Sequence, residues 1–264
     1  MTPSSYVTTA SVMELRARLL PQDWAVLHDV QQMRLASALD LQALAGLRGE
    51  LKVRQFRRRL QLLHELRVLA RLERRVGGTR AGSSGWVYAL GVAGQRLLDP
   101  AGGVSVRRPW TPRPSWLGHA LAASHLYVIL KTAEHDGVLQ LLQYQSEPQC
   151  WRSFDDQGQA VTLKPDGFAR CELGDELVSA FIEVDCATES PATLGRKLEV
   201  YRRHWLTGRE QSDHSVYPEV LWLVPTTARQ RVLEKVVARQ PVEAQVLHRV
   251  ARYDDALQAL TEPP

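Results

Sequence analysis

Apolar positions recur along this chain with two periods, and their alternation divides it into helical and extended segments. Over residues 22–34 (QDWAVLHDVQQMR), Trp24, Leu27, Val30 and Met33 stand at helical spacing behind Pro21, which favours a helix start. Ser37 precedes ALDLQALAG, a short helix with a capping serine and a stop at Gly46. From about Leu51 to Leu72, Val53, Phe56, Leu60, Leu63, Leu66 and Leu69 recur every three or four residues, which predicts one long helix with a single buried face. RLERR (71–75) and WVYAL (86–90) alternate instead, and the glycine-rich VGGTRAGSSG between them predicts a β-hairpin. The stretch DPAGGVSVRRPWTPRPSW (99–116) carries four prolines and two glycines, which break both helix and strand and mark a linker.

Beyond the linker, Leu117, Leu121 and Val128 form a helical stripe ending near Gly137. Strands are expected over 138–147, over 160–173 and over 177–185, the last a nearly continuous apolar run of the kind buried in a sheet. A helix over 193–206, a strand over 216–225, a helix over 227–240 and a strand over 242–250 complete the order αβββαβαβ. That order points to a mixed sheet flanked by helices. The expectation is an α+β protein with a domain at 1–98, a linker at 99–115 and a second domain at 116–264.

Charge separates the two halves. Residues 1–115 hold 18 Lys and Arg against 8 Asp and Glu, a net of +10, whereas the remaining 15 and 21 give −6. In the first half the arginines are ordered: Lys52, Arg54, Arg57, Arg58 and Arg59 all fall in the first half of the long helix, and Arg54, Arg57 and Arg58 share one stripe. Arg74, Arg75 and Arg80 lie on or beside the hairpin. Helix, short helix, basic helix and basic hairpin together predict a winged helix-turn-helix whose recognition helix and wing meet double-stranded DNA. A small helical domain packed on a partner protein is the competing reading, and the coincidence of basic helix and basic wing argues against it.

No apolar run approaches a membrane span, and the first twenty residues lack the pattern of a signal peptide, so a cytoplasmic protein is expected. Cys150, Cys171 and Cys186 are odd in number and never spaced as CxxC, which argues against a zinc site or a disulfide framework. His119 and His125, six apart on one helix, face different ways and make no metal pair. The absence of GxSxG, GxxxxGK[ST] and GxGxxG leaves no signal for a serine hydrolase, P-loop ATPase or dinucleotide site. Many winged-helix proteins bind as dimers, but no heptad or interface patch marks a homodimer here.

The second half carries its chemistry in carboxylates. Asp166 follows Pro165, and Glu183 and Asp185 bracket Val184 at a spacing that puts both on one face of a strand. Acids within an apolar run are costly unless something compensates them. A hard divalent cation such as Mg²⁺ is one compensation, with Glu147 as a further oxygen donor. Structural ion pairs with Arg170, Arg196 or Lys197 are the other.

The strand order, with PDG at 165–167 and ExD at 183–185, resembles the PD-(D/E)XK nuclease superfamily. More narrowly, LGHALAASHLYV (117–128), LKPDGF (163–168), FIEVDCATES (181–190) and RKLEVY (196–201) make the chain, from about residue 20 to 225, similar to the replication-relaxation family of plasmid and mobile-element proteins. The resemblance implies a winged helix joined to a restriction-endonuclease-like α/β domain with a mixed sheet, acting on or regulating mobile-element DNA in replication, relaxation or transfer. It implies Mg²⁺ on Asp166, Glu183 and Asp185, and a Mg²⁺-dependent endonuclease or nickase in active members. The superfamily's lysine, two residues after the Glu, is replaced here by Asp185. Lys164 or Lys197 is then left to supply the charge, and Lys197 lies within a matching motif. The alternative is a non-catalytic transcriptional regulator whose nuclease-like domain dimerises or senses a partner.

Overall fold

The computed structural model describes residues 8–49, 52–72, 85–99 and 114–262. The chain is a mixed α+β protein that divides into two compact units, Met1–Val128 and Ile129–Pro264. The division falls within a helix, beyond the 99–115 segment expected to be the linker, most of which lies outside the described residues.

The first unit begins with α1 (Thr9–Arg18), α2 (Pro21–Met33), β1 (Ala36–Ser37), α3 (Ala38–Leu47) and α4 (Val53–Glu65). Strands β2 (Leu69–Leu72) and β3 (Val87–Leu90) follow, then α5 (Val92–Leu98) and the start of α6 (Pro114–His135). The strands form an antiparallel sheet in the order β1-β3-β2. Leu27, Val30, Leu41, Leu44, Phe56, Leu60 and Leu63 pack into one core from three helices. Ser37 caps α3 as expected, its Oγ accepting from the Asp40 N–H at 3.1 Å while the Asp40 carboxylate accepts from the Ser37 N–H. The expected helix over 51–72 ends at Glu65 instead. Arg67 takes a left-handed backbone (φ 59°), so the chain turns and Leu69 enters the core from a strand. The leucine spacing runs unbroken across a change of element. α5, also unforeseen, packs so closely that a Cβ on Gly91 or Gly94 would stand 2.1–2.2 Å from the Arg67 and Val68 carbonyl oxygens.

The second unit is built on a five-stranded sheet. Its strands in chain order are β4 (Gln140–Ser146), a separate hairpin of β5 (Arg152–Asp156) and β6 (Gln159–Leu163), β7 (Gly167–Leu173) and β8 (Glu176–Val184). Then come α7 (Pro191–Trp205), α8 (Arg209–His214), β9 (Glu219–Val224), α9 (Thr227–Val237), α10 (Val242–Gln245), β10 (His248–Arg252) and α11 (Ala256–Thr261). The sheet order is β10-β9-β8-β7-β4, antiparallel from β4 to β8 and parallel from β8 to β10, so it is mixed as expected. The strand expected over 160–173 is two strands broken at Lys164–Asp166, with β6 leaving for the hairpin and β7 entering the main sheet. The strand expected over 242–250 opens as α10, because only its last residues reach β9. Phe181, Leu194, Leu198, Tyr201, Val220 and Trp222 fill the core between β8, β9 and α7. No helix among the described residues is long and apolar enough to cross a membrane.

Candidate functional site

Two sets of side chains stand out, one in each unit. In the first, α4 buries Phe56, Leu60 and Leu63 and turns Lys52, Arg54, Arg57 and Arg58 to solvent. This follows from helical spacing: residues 54, 57, 58 and 61 share a stripe away from the core. A concavity of about 490 Å³ runs along that stripe, lined by Val53, Arg54, Arg57, Arg58 and Gln61. The face is therefore cationic, open and concave. Val53, expected in the core, is instead half exposed at the helix start.

Arg59 departs from its neighbours. It turns inward, and its Nε and Nη2 both donate to the carboxylate of Asp23, which is completely buried. Asp23 also accepts from the Leu20 N–H at 2.7 Å, capping α2. Pairing with Asp23 raises the pKa of Arg59, and the guanidinium serves the fold. Arg74, Arg75 and Arg80 lie outside the described residues. The structure adds Arg71 on β2, unnoticed in the sequence, whose Nη1 donates to Gln61 Oε1 at 2.8 Å and whose guanidinium stacks 3.7 Å over the ring of Trp86. Its alternation in the strand was the available signal.

In the second unit, Asp166 at the start of β7 and Glu183 near the end of β8 are both buried. Register brings them together: Gly167 pairs with Ile182, the Asp166 N–H donates to the Ile182 carbonyl, and the Val184 N–H donates to Asp166 Oδ2 at 2.8 Å. Lys197 and Tyr201, one turn apart on α7, both reach Glu183. Lys197 Nζ donates to Oε2 at 3.3 Å and Tyr201 Oη to Oε1 at 2.7 Å. Lys197 also pairs with Glu189 at 3.2 Å. Burial first, then the charge of Asp166, pushes the Glu183 carboxyl up to about 7, against the pull of Lys197. For Lys197 the acids Glu183, Asp166 and Glu189 outweigh burial and raise its pKa.

Asp185 belongs to a different contact. β8 has ended, so strict alternation no longer applies, and both Asp185 oxygens accept from Arg229 at the start of α9. Arg229 also donates to the Glu189 carbonyl at 2.7 Å, tying down the loop after β8. Sequence spacing placed Asp185 beside Glu183 and gave no hint of Arg229, which lies 44 residues away. Lys164 is exposed with its Nζ over the Trp151 ring, away from this network. Glu147 is half-buried after β4, and with Asp166 and burial it helps push the Cys150 thiol up to about 12. Cys150 donates to the Pro165 carbonyl and stays a buried thiol.

A divalent cation needs several oxygens with open lone pairs. Here both Glu183 oxygens accept from protein donors, both Asp185 oxygens accept from Arg229, and one Asp166 oxygen accepts from a backbone N–H. Among the described residues no three His, Cys, Asp or Glu side chains stand together as a metal site. As folded, Glu183 and Asp185 are held by protein donors, and a cation would have to displace Lys197 or Arg229 to use them fully.

No curated protein and no solved structure matches the chain. The replication-relaxation family model matches residues 27–220, well over half of the sequence and parts of both compact units, and the protein belongs to the replication-relaxation family.

Proposed function

We propose that this protein is a double-stranded-DNA-binding factor that acts on mobile-element DNA in replication, relaxation or transfer. The observation that carries the reading is the open face of α4, where Arg54, Arg57 and Arg58 line a concavity, with Lys52 exposed at the helix start and no acid among the described lining residues. The order α2, β1, α3, α4, β2, β3 with the sheet β1-β3-β2 supports a winged helix-turn-helix in which α4 is the recognition helix. Arginines on such a helix serve phosphates and guanine edges alike, so affinity rises steeply as salt falls. The test is a gel-shift titration of a mixed-sequence duplex: Arg54→Ala/Arg57→Ala/Arg58→Ala moves the shift to far higher protein concentration, and an unchanged shift refutes the assignment.

The second unit supports a restriction-endonuclease-like reading through its mixed sheet and through Asp166 and Glu183 side by side, with Lys197 reaching Glu183 from α7 while Asp185 occupies the motif's lysine position. Glu183 is bonded by Lys197 and Tyr201 and Asp185 by Arg229, and this favours a scaffold that has exchanged chemistry for internal contacts. Convergence of Asp166, Glu183 and Lys197 keeps one rival, a metal-dependent nickase. Nicking of supercoiled plasmid with Mg²⁺ or Mn²⁺ that vanishes in Asp166→Ala and Glu183→Ala would establish that rival. Equal, background nicking in all three proteins supports the scaffold.

A further inference from the structure

Beside the α4 face, Arg71 is held from two sides. Its guanidinium lies 3.7 Å over the indole of Trp86, itself more than a third exposed. Its Nη1 is given to Gln61 Oε1 at 2.8 Å, and Gln61 is fixed in turn by donating to Glu65 at 2.8 Å. Gln61 lines the same concavity as Arg54, Arg57 and Arg58. Stacking orients the guanidinium plane, and the single bond to Gln61 leaves the Nε and Nη2 edge without a protein acceptor among the described residues. That edge is the fork that binds two oxygens of one phosphate. Ordering a long side chain is costly, and here the ordering is already done before any ligand arrives.

Resting on the DNA-binding reading above, we propose that Arg71, pre-organised by Trp86 and Gln61, clamps one backbone phosphate of the duplex and so sets the register of α4 on DNA. A strand residue outside the helix stripe, held over an indole, is placed to position the protein and not to read bases. The arginines of α4 supply the rest of the contact. Phosphate contacts fix orientation and carry no sequence information, so loss of Arg71 weakens binding evenly across sequences.

The experiment measures affinity by fluorescence anisotropy at several salt concentrations on an AT-rich and a GC-rich duplex, for the full chain, Arg71→Ala, Arg71→Lys and Arg54→Ala/Arg57→Ala/Arg58→Ala. Arg71→Ala weakens binding by about tenfold on both duplexes, the effect of one charge-assisted hydrogen-bonded contact, and lowers the slope of log K against log salt by about 0.9. Arg71→Lys keeps the slope and loses part of the affinity, because the charge stays and the fork does not. If Arg71→Ala does not fold, Arg71→Gln, which keeps much of the stem over Trp86, carries the same slope prediction. An unchanged slope in a folded Arg71→Ala overturns the proposal, whether affinity is unaltered or weakened on one duplex only. If the triple variant also binds like the parent, the DNA-binding reading itself has failed, which separates the two.

Discussion

Arg59 and its neighbours on α4 make a sharp contrast, because one helix carries four arginines and only Arg59 holds a buried acid. Asp23 has no exposed surface and its carboxylate receives two N–H donors from Arg59. Truncating Arg59 to Ala leaves Asp23 with the Leu20 N–H and the start of α2 as its remaining support. Removing one partner of a buried pair costs about 3–5 kcal/mol. Arg59 is 21% exposed, so water can reach part of the vacated space and the low end applies, about 3 kcal/mol. With a urea m-value of about 2 kcal/mol/M for a domain of this size, the midpoint falls by about 1.5 M. Arg54→Ala, Arg57→Ala and Arg58→Ala, each at an exposed site, change stability by less than about 0.5 kcal/mol apiece. Native-state hydrogen exchange on α2 and α4 localises the loss to this unit. The double variant Asp23→Asn/Arg59→Leu recovers most of it, since replacing both partners leaves no unpaired charge. The reasoning is refuted if Arg59→Ala is as mild as its three neighbours, or if the double variant is worse than the single.

Other consequences follow from the second unit. Lys197→Met strands the buried Glu183 beside Asp166 and destabilises the unit by about 3 kcal/mol in urea denaturation, while adding Glu183→Gln restores much of the loss; a neutral Lys197→Met contradicts the pairing. Burial, then Arg152 and Arg209, holds His204 neutral down to about 4 in the folded state. The unfolded chain therefore takes up the proton first, and stability falls as pH drops from about 6.5 towards 4. Glu183 acts in the opposite sense: the folded state keeps its proton up to about 7, so its contribution is lost as pH rises from about 4.5 to 7. Glu183→Gln thus steepens the rise of stability across the window between that carboxyl's ordinary value of 4.5 and about 7, and a flatter profile would count against the assignment. Arg229→Ala frees Asp185 and the loop after β8, and faster amide exchange at Ala187 and Glu189 reports it; unchanged exchange there shows the staple is idle.

Much of this was legible in sequence where the cause is local. The Ser37 cap, the start at Pro21 and the stripe of Arg54, Arg57 and Arg58 are decided by residues a few positions apart, and each stands as expected. PDG and ExD mark Asp166 and Glu183 in sequence, and strand pairing puts the two motifs side by side. What escaped depends on distant partners. Arg59 looks like any other helix arginine until Asp23, 36 residues earlier, is known to be buried beneath it. Asp185 shares a spacing with Glu183 but not its surroundings, since the strand stops between them and Arg229 arrives from α9. Leu66 and Leu69 continued the helical period through Arg67, where only the backbone angle reveals the turn. VEAQVLHRV opens with strand-like alternation, yet that first half is helical and β9 pairs with the second half alone.

The central claim is that the open basic face of α4 meets the phosphates of duplex DNA. The most direct measurement is the salt dependence of binding to a mixed-sequence duplex, with the parent set against Arg54→Ala/Arg57→Ala/Arg58→Ala. If each arginine neutralises one phosphate, the slope of log K against log salt becomes shallower by about 2.7, from about 0.9 per contact. An equal slope in parent and variant, with both folded, contradicts the account.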